Sequence, residues 1–219
     1  IRRQRQMCIR DSEHILSANI NYQHDFAFGD FTPTLKMGGY TEYRTREYNT
    51  RLFIYSWKNG LPSNYRVMNV PDELMQDKNY GEDKLYLLEQ VDWRNNYEGN
   101  NMLGAGYAGV NLPFGKWNIY AGVRFEHSRM ELISNTQKNE KSPTSVYYTY
   151  DDFFPSLNAA YRLNEQHQFR LSYGRTVNRP EFREVSSSVY YDFDLASNVQ
   201  GNYDLKAAYI DNIDLGYEY

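Results

Sequence analysis

Apolar and polar residues alternate for eight or more positions in six stretches of this chain. A two-residue period of that length predicts β-strands with one apolar face. Trp117, Ile119, Ala121, Val123 and Phe125 interleave with Asn118, Tyr120, Gly122, Arg124 and Glu126. Near the C-terminal end Ile213, Leu215, Tyr217 and Tyr219 interleave with Asn212, Asp214, Gly216 and Glu218. A half-buried sheet in a soluble sandwich alternates in the same way, so the period leaves sandwich and transmembrane barrel both open.

The connectors separate the two. The pattern gives seven strands, six clear and one with an ambiguous register over residues 102–112. The first covers about 14–24, with Leu16, Ala18, Ile20 and Tyr22 opposite Ser17, Asn19, Asn21 and Gln23; a short connector through Gly29 and Asp30 follows. The second begins near Thr34 and runs on toward Tyr55, well beyond the roughly nine to eleven residues that cross a bilayer. Residues 56–100 read as a long loop with a short helix near 83–91. Pro113 to Lys116 form a tight turn into the fourth strand, 134–150 a second long loop, Asn164 to His167 another tight turn, and 178–206 a third long loop. Short and long connectors therefore alternate, as periplasmic turns and extracellular loops do in a membrane barrel. A sandwich has no reason to sort its loops by length in this way.

Composition agrees with a barrel wall. The chain is 219 residues long and 41% hydrophobic, with a mean hydropathy of -0.80. No run approaches the roughly eighteen apolar residues of a spanning helix. In a barrel only every second strand residue meets lipid, so low hydropathy is expected. Aromatics make up 16% of the chain, with 22 Tyr against 11 Phe. A ring with a wet end suits the girdles where strands cross the headgroup level.

Residues 1–12 differ from the remainder. They are basic through Arg2, Arg3, Arg5 and Arg10, show no alternation and lack the apolar core of a signal peptide. The stretch from Arg5 to Ser12 resembles translated sequencing-adapter sequence, so 1–12 are expected to be a non-native leader and 13–219 the barrel segment. Without the leader, 20 Lys and Arg stand against 27 Asp and Glu, and the only cysteine, Cys8, is gone. A net charge of -7 argues against nucleic acid as a partner.

An odd number of strands does not close a bacterial single-chain barrel. The expected fold is therefore all-β, an antiparallel transmembrane β-barrel represented by an incomplete segment of about seven strands. The residues from Leu171 to Glu184 (LSYGRTVNRPEFRE), followed by Tyr191-Asp192-Phe193, Gly201-Asn202, Leu205-Lys206 and the closing 212–219, resemble the barrel of TonB-dependent outer-membrane receptors. Asn111-Leu112-Pro113 and Phe154-Pro155-Ser156-Leu157 fit the same family. The resemblance runs from about residue 13 to the end. Tyr203 and Ala207 stand where the family commonly has proline.

That resemblance implies an outer-membrane receptor and transporter of a scarce ligand such as a siderophore, cobalamin, glycan or peptide. Its partners would be outer-membrane lipid, a plug domain inside the barrel and the TonB complex, with no cofactor implied. The long loops would face outside, where Trp57, Tyr65, Trp93, Tyr147, Tyr148, Tyr190 and Tyr191 are candidate stacking surfaces. Arg175, Arg179 and Arg183, with Glu181 and Glu184 among them, either bind an anionic ligand or pair within the wall, and pairing is favoured. Pro180 should end the sixth strand, and Gly201-Asn202 can supply the positive φ of a tight bend.

Enzyme chemistry has little support. His14, His24, His127 and His167 lack metal-ligand spacing, and Asp151 and Asp152 point to opposite faces of a strand. The alternatives are a passive pore or adhesin barrel and, further off, a soluble carbohydrate-binding β-module.

Overall fold

The computed structural model describes residues 5–57, 76–81, 83–192 and 194–219. Ten strands are present among them: β1 (Arg5–Asp25), β2 (Thr34–Trp57), β3 (Leu85–Gln90), β4 (Tyr97–Phe114), β5 (Trp117–Asn135), β6 (Pro143–Arg162), β7 (Gln168–Asn178), β8 (Val189–Asp192), β9 (Ser197–Gln200) and β10 (Ala208–Glu218). Seven form one wall in the order β1-β2-β4-β5-β6-β7-β10, all antiparallel neighbours, while β3 adds to β2 and β8 pairs with β9. Both β1 and β10 are open edges. No described helix is long and apolar enough to cross a membrane.

The register assembles the apolar positions into continuous rows. Val110, Ala121, Leu157, Tyr173 and Ile213 follow one another across β4, β5, β6, β7 and β10. The row nearest the short turns is aromatic: Phe114, Trp117, Tyr161, Phe169 and Tyr217 are successive cross-strand partners. From Trp117 to Phe125 the apolar face of β5 is nine residues long, the crossing length of a bilayer strand. This face is open to its surroundings, with Ile20 at 74%, Ile213 at 71% and Leu215 at 83% exposure. The opposite face carries Tyr40, Glu42, Arg44, Arg124, Glu126 and Asp152. The sheet is thus apolar outside and charged inside, the reverse of a soluble fold.

The short connectors close as the turn chemistry dictates. Gly115 takes φ +56 in the two-residue turn between Phe114 and Trp117, and Gly29 takes φ +65 beneath the Phe28–Phe31 bridge. At the third turn the amide of Leu163 donates to the His167 carbonyl at 2.9 Å. Pairing of β6 with β7 stops at Ser156, next to Pro155, which has no N–H to donate.

Four expectations are corrected. Residues 85–90, expected in a helix, form β3 and pair with Leu52–Trp57 of β2. The second long loop shrinks to 136–142, because β5 and β6 continue in register to Asn135 and Pro143. Gly201 has no positive φ; glycine is required there because a Cβ would press on the carbonyls of Arg183 and Glu184, while Ala196 takes φ 49 between β8 and β9. Residues 5–12, expected without strand pattern, extend β1 in unbroken register with β2, where Arg46 binds Asp11. Residues 102–112 have a defined register, with Met37 opposite Ala108 and Ala108 opposite Val123.

Candidate functional site

The third long connector folds inward and packs on the charged face of the wall. Phe182 and Val185 are almost fully buried against Tyr48 of β2, Tyr97 of β4, and Met130 and Leu132 of β5. This is the main buried apolar cluster, and it joins a loop to the upper wall. Tyr148 and Tyr203 border it, and the Tyr148 hydroxyl donates to the Tyr203 carbonyl at 2.8 Å. Ser187 Oγ lies 2.9 Å from the carbonyls of both Arg94 and Asn135, and the Val189 amide donates to Asn95 at 3.0 Å. The loop is therefore keyed to the first connector and to the outer end of β5 as well as to the other strands.

At the base of this loop stands a buried charge relay. Arg179 donates Nη1 to Glu126 of β5 and Nη2 to Asp152 of β6, each at 2.8 Å, while its Nε has no partner among the described residues. Tyr209 donates to the other Asp152 oxygen at 2.6 Å, and Arg124 holds the other Glu126 oxygen at 2.6 Å. Arg124 also faces the ring of Tyr40, whose hydroxyl is bonded to Glu42. The chain of contacts runs from β2 to β10 across the charged face. Arg44 bridges Glu13 and Glu181, tying the same loop to β1 and β2.

The predicted site residues separate into groups. Arg179 is a wall-pairing residue, the reading favoured for it from the sequence, and Glu181 pairs with Arg44. Arg183 is exposed on the inward loop between Phe182 and Glu184. Tyr147 and Tyr148 stand on opposite faces: Tyr148 packs under the loop, whereas Tyr147 stacks with Arg129 and donates to Glu131 on the apolar side. Trp93 lies in a one-turn 3-10 segment with the Lys141 ammonium 4.5 Å from its ring, and Trp57 closes β2. Tyr190 and Tyr191 place their backbones in β8, and Tyr65 lies outside the described residues. Among the described side chains, Trp93, Tyr147 and Tyr148 do not form one patch. The structure instead singles out Glu126 and Tyr209, which look like ordinary strand residues in the sequence, and Asp152, which is expected to be solvated beside Asp151 but is buried between Arg179 and Tyr209. Among the described residues no group of three or more His, Cys, Asp or Glu is placed to hold a metal ion.

An inward loop on a charged concave wall, outside an apolar belt with an aromatic rim, defines an outer-membrane barrel segment. The chain belongs to the outer membrane protein beta-barrel family, whose profile matches residues 4–219. It therefore resides in the outer membrane. Two solved structures share its fold: the ferric citrate transporter FecA in its unliganded form, at 14% identity and a TM-score of 0.55, and the siderophore receptor PiuA from Acinetobacter baumannii, at 10% identity and 0.54. They match 80% and 78% of this chain but only 22% and 24% of their own lengths, so the chain spans about a quarter of each. The resemblance of the sequence to TonB-dependent receptor barrels is thus matched in fold. No curated protein sequence matches it significantly.

Proposed function

We propose that this segment is part of the barrel wall of an outer-membrane receptor that imports a scarce ligand in TonB-dependent fashion. The observation that carries the reading is the third connector, which folds into the barrel and is fixed there by Phe182, Val185 and Arg179 rather than extending into solvent. A loop built into the lumen narrows the entrance and shapes a capture surface, a feature useful to a receptor. The named neighbours, a ferric citrate transporter and a siderophore receptor, support this reading. The ligand classes are iron-siderophore complexes, cobalamin, glycans or peptides. The partners are outer-membrane lipid, a plug domain in the charged lumen and the TonB complex. The role is transport rather than catalysis. Arg183, Trp93, Tyr190 and Tyr191, on the connectors at the outer end, are the candidate contacts.

The test compares strains with and without the full-length receptor for growth on ferric citrate, a ferric siderophore or cobalamin as limiting nutrient. TonB is present or deleted in each. Growth on one nutrient that needs both receptor and TonB is expected. Receptor-dependent uptake that persists without TonB would replace this reading with a passive pore.

A further inference from the structure

The apolar face contains a groove that the protein leaves unfilled. Gly39 of β2 and Gly106 of β4 are direct partners, so bare backbone lies between Ile20 of β1 and Phe125 of β5. With Met37 and Phe153 these residues line a groove of about 610 Å³. Neither glycine has a positive φ. A Cβ on Gly106 would meet nothing nearer than the Gly38 carbonyl at 3.9 Å, and one on Gly39 nothing nearer than the Ala105 carbonyl at 3.7 Å. On the charged face the logic is opposite: Tyr120 fills the space beside Gly109, and Phe182 that beside Gly99.

One end of the groove is polar. Two residues beyond Phe125 and Phe153 on the same face, His127 and Asp151 are cross-strand partners, with His127 Nδ1 donating to Asp151 at 2.7 Å. Two residues further, Arg129 lies 5.3 Å from the centre of the Tyr147 ring. The Tyr147 hydroxyl occupies Glu131 at 2.7 Å, and among the described residues no carboxylate is within ion-pair distance of Arg129. The strand rise puts Arg129 roughly 13 Å along the wall from Phe125. That separates the apolar belt from the headgroup level on the side of the long connectors, which faces outward.

We propose that this groove binds one acyl chain of an outer-leaflet lipid, with the phosphate of its headgroup on Arg129 and His127 beside it. The groove is continuous with the bilayer-facing belt, so a lipid chain is the occupant in place. The unneutralised guanidinium selects a headgroup whose phosphate has no internal counter-charge, as a phosphomonoester does and the zwitterionic phosphocholine does not. Ordinary surrounding lipid would cover the belt without preferring this position. The inference rests on the outer-membrane placement and not on the import reading.

The test uses the full-length receptor in dodecyl maltoside, titrated with lipid A bisphosphate or with phosphatidylcholine and read by native mass spectrometry. The wild type should retain one lipid A more than Gly106→Leu, in which a side chain fills the groove. Arg129→Gln, which keeps the backbone pairing of β5 and removes only the stacking on Tyr147, should retain lipid A roughly fivefold less tightly while phosphatidylcholine is unaffected. Equal retention by wild type and both variants would overturn the site. An equal loss of both lipids in Arg129→Gln would overturn the assignment of the headgroup.

Discussion

The ring of Phe182 occupies the space that a side chain would need at Gly99, which is paired across the wall with Arg46. The Arg44 guanidinium lies 5.3 Å from the centre of the same ring. Phe182→Ala should cost about 3 kcal/mol of loop docking through lost burial and the cavity left behind. Gly99→Ala should cost roughly 1 to 3 kcal/mol by overpacking, because the added methyl overlaps the ring. Hydrogen exchange across 181–188 should speed up in both variants. Protection of the strand amides below the loop should stay unchanged, because the belt does not touch this cluster.

Arg179 holds two carboxylates at once, and its side chain is only 17% exposed, against 13% for Glu126 and 8% for Asp152. Arg179→Ala leaves Asp152 without its ion-pair partner and Glu126 with Arg124 alone, and should destabilise the loop base by roughly 3 kcal/mol. Arg179→Lys keeps the charge but not the fork, and should recover only part of the loss. Limited proteolysis within 179–207 ranks the three proteins: wild type slowest, lysine intermediate, alanine fastest. Equal rates for lysine and wild type would show that charge alone suffices.

The first connector brings a pH dependence. Asp92 is partly buried, which raises its carboxyl pKa, but bonds and charge from Arg94 outweigh burial and hold it below the usual range. A carboxylate with a depressed folded pKa stabilises the fold above its unfolded value near pH 4, and this contribution is lost as pH falls through the lowered folded value. Asp92 also caps the one-turn segment 93–95, accepting from the Arg94 amide at 3.2 Å. Asn95 and Arg94 in turn hold Val189 and Ser187 of the inward loop. Asp92→Asn should therefore loosen exchange at 187–189 at neutral pH by about 1 kcal/mol and flatten its acid dependence.

The wall was legible in the sequence where one face meets lipid and the other water, because only there does hydropathy alternate. Trp117 to Phe125 and Ile213 to Tyr217 are such runs. Above the belt both faces meet water or a polar loop, so Thr144 to Tyr150 carry no alternation and read as loop although they are strand in β6. Leu85 to Gln90 consist of residues that serve helix or strand equally well, and pairing with the extended end of β2 decides for strand. The inward loop was marked by Pro180 and Gly201, but its anchors were not. Nothing local in the sequence links Phe182 to Gly99 or Arg179 to Glu126, since those contacts depend on the register of three strands.

The central claim, that alternate residues of one strand face lipid and lumen, is tested most directly on β5 of the full-length receptor. In a cysteine-free background, Tyr120→Cys, Ala121→Cys, Val123→Cys and Arg124→Cys variants are labelled with a fluorophore and reconstituted into phosphatidylcholine bilayers containing doxyl-labelled lipid. Labels at 121 and 123 should be strongly quenched and those at 120 and 124 spared, following the two faces set by the β4–β5–β6 register. Equal quenching at all four positions, or none at any, would contradict a membrane-spanning wall.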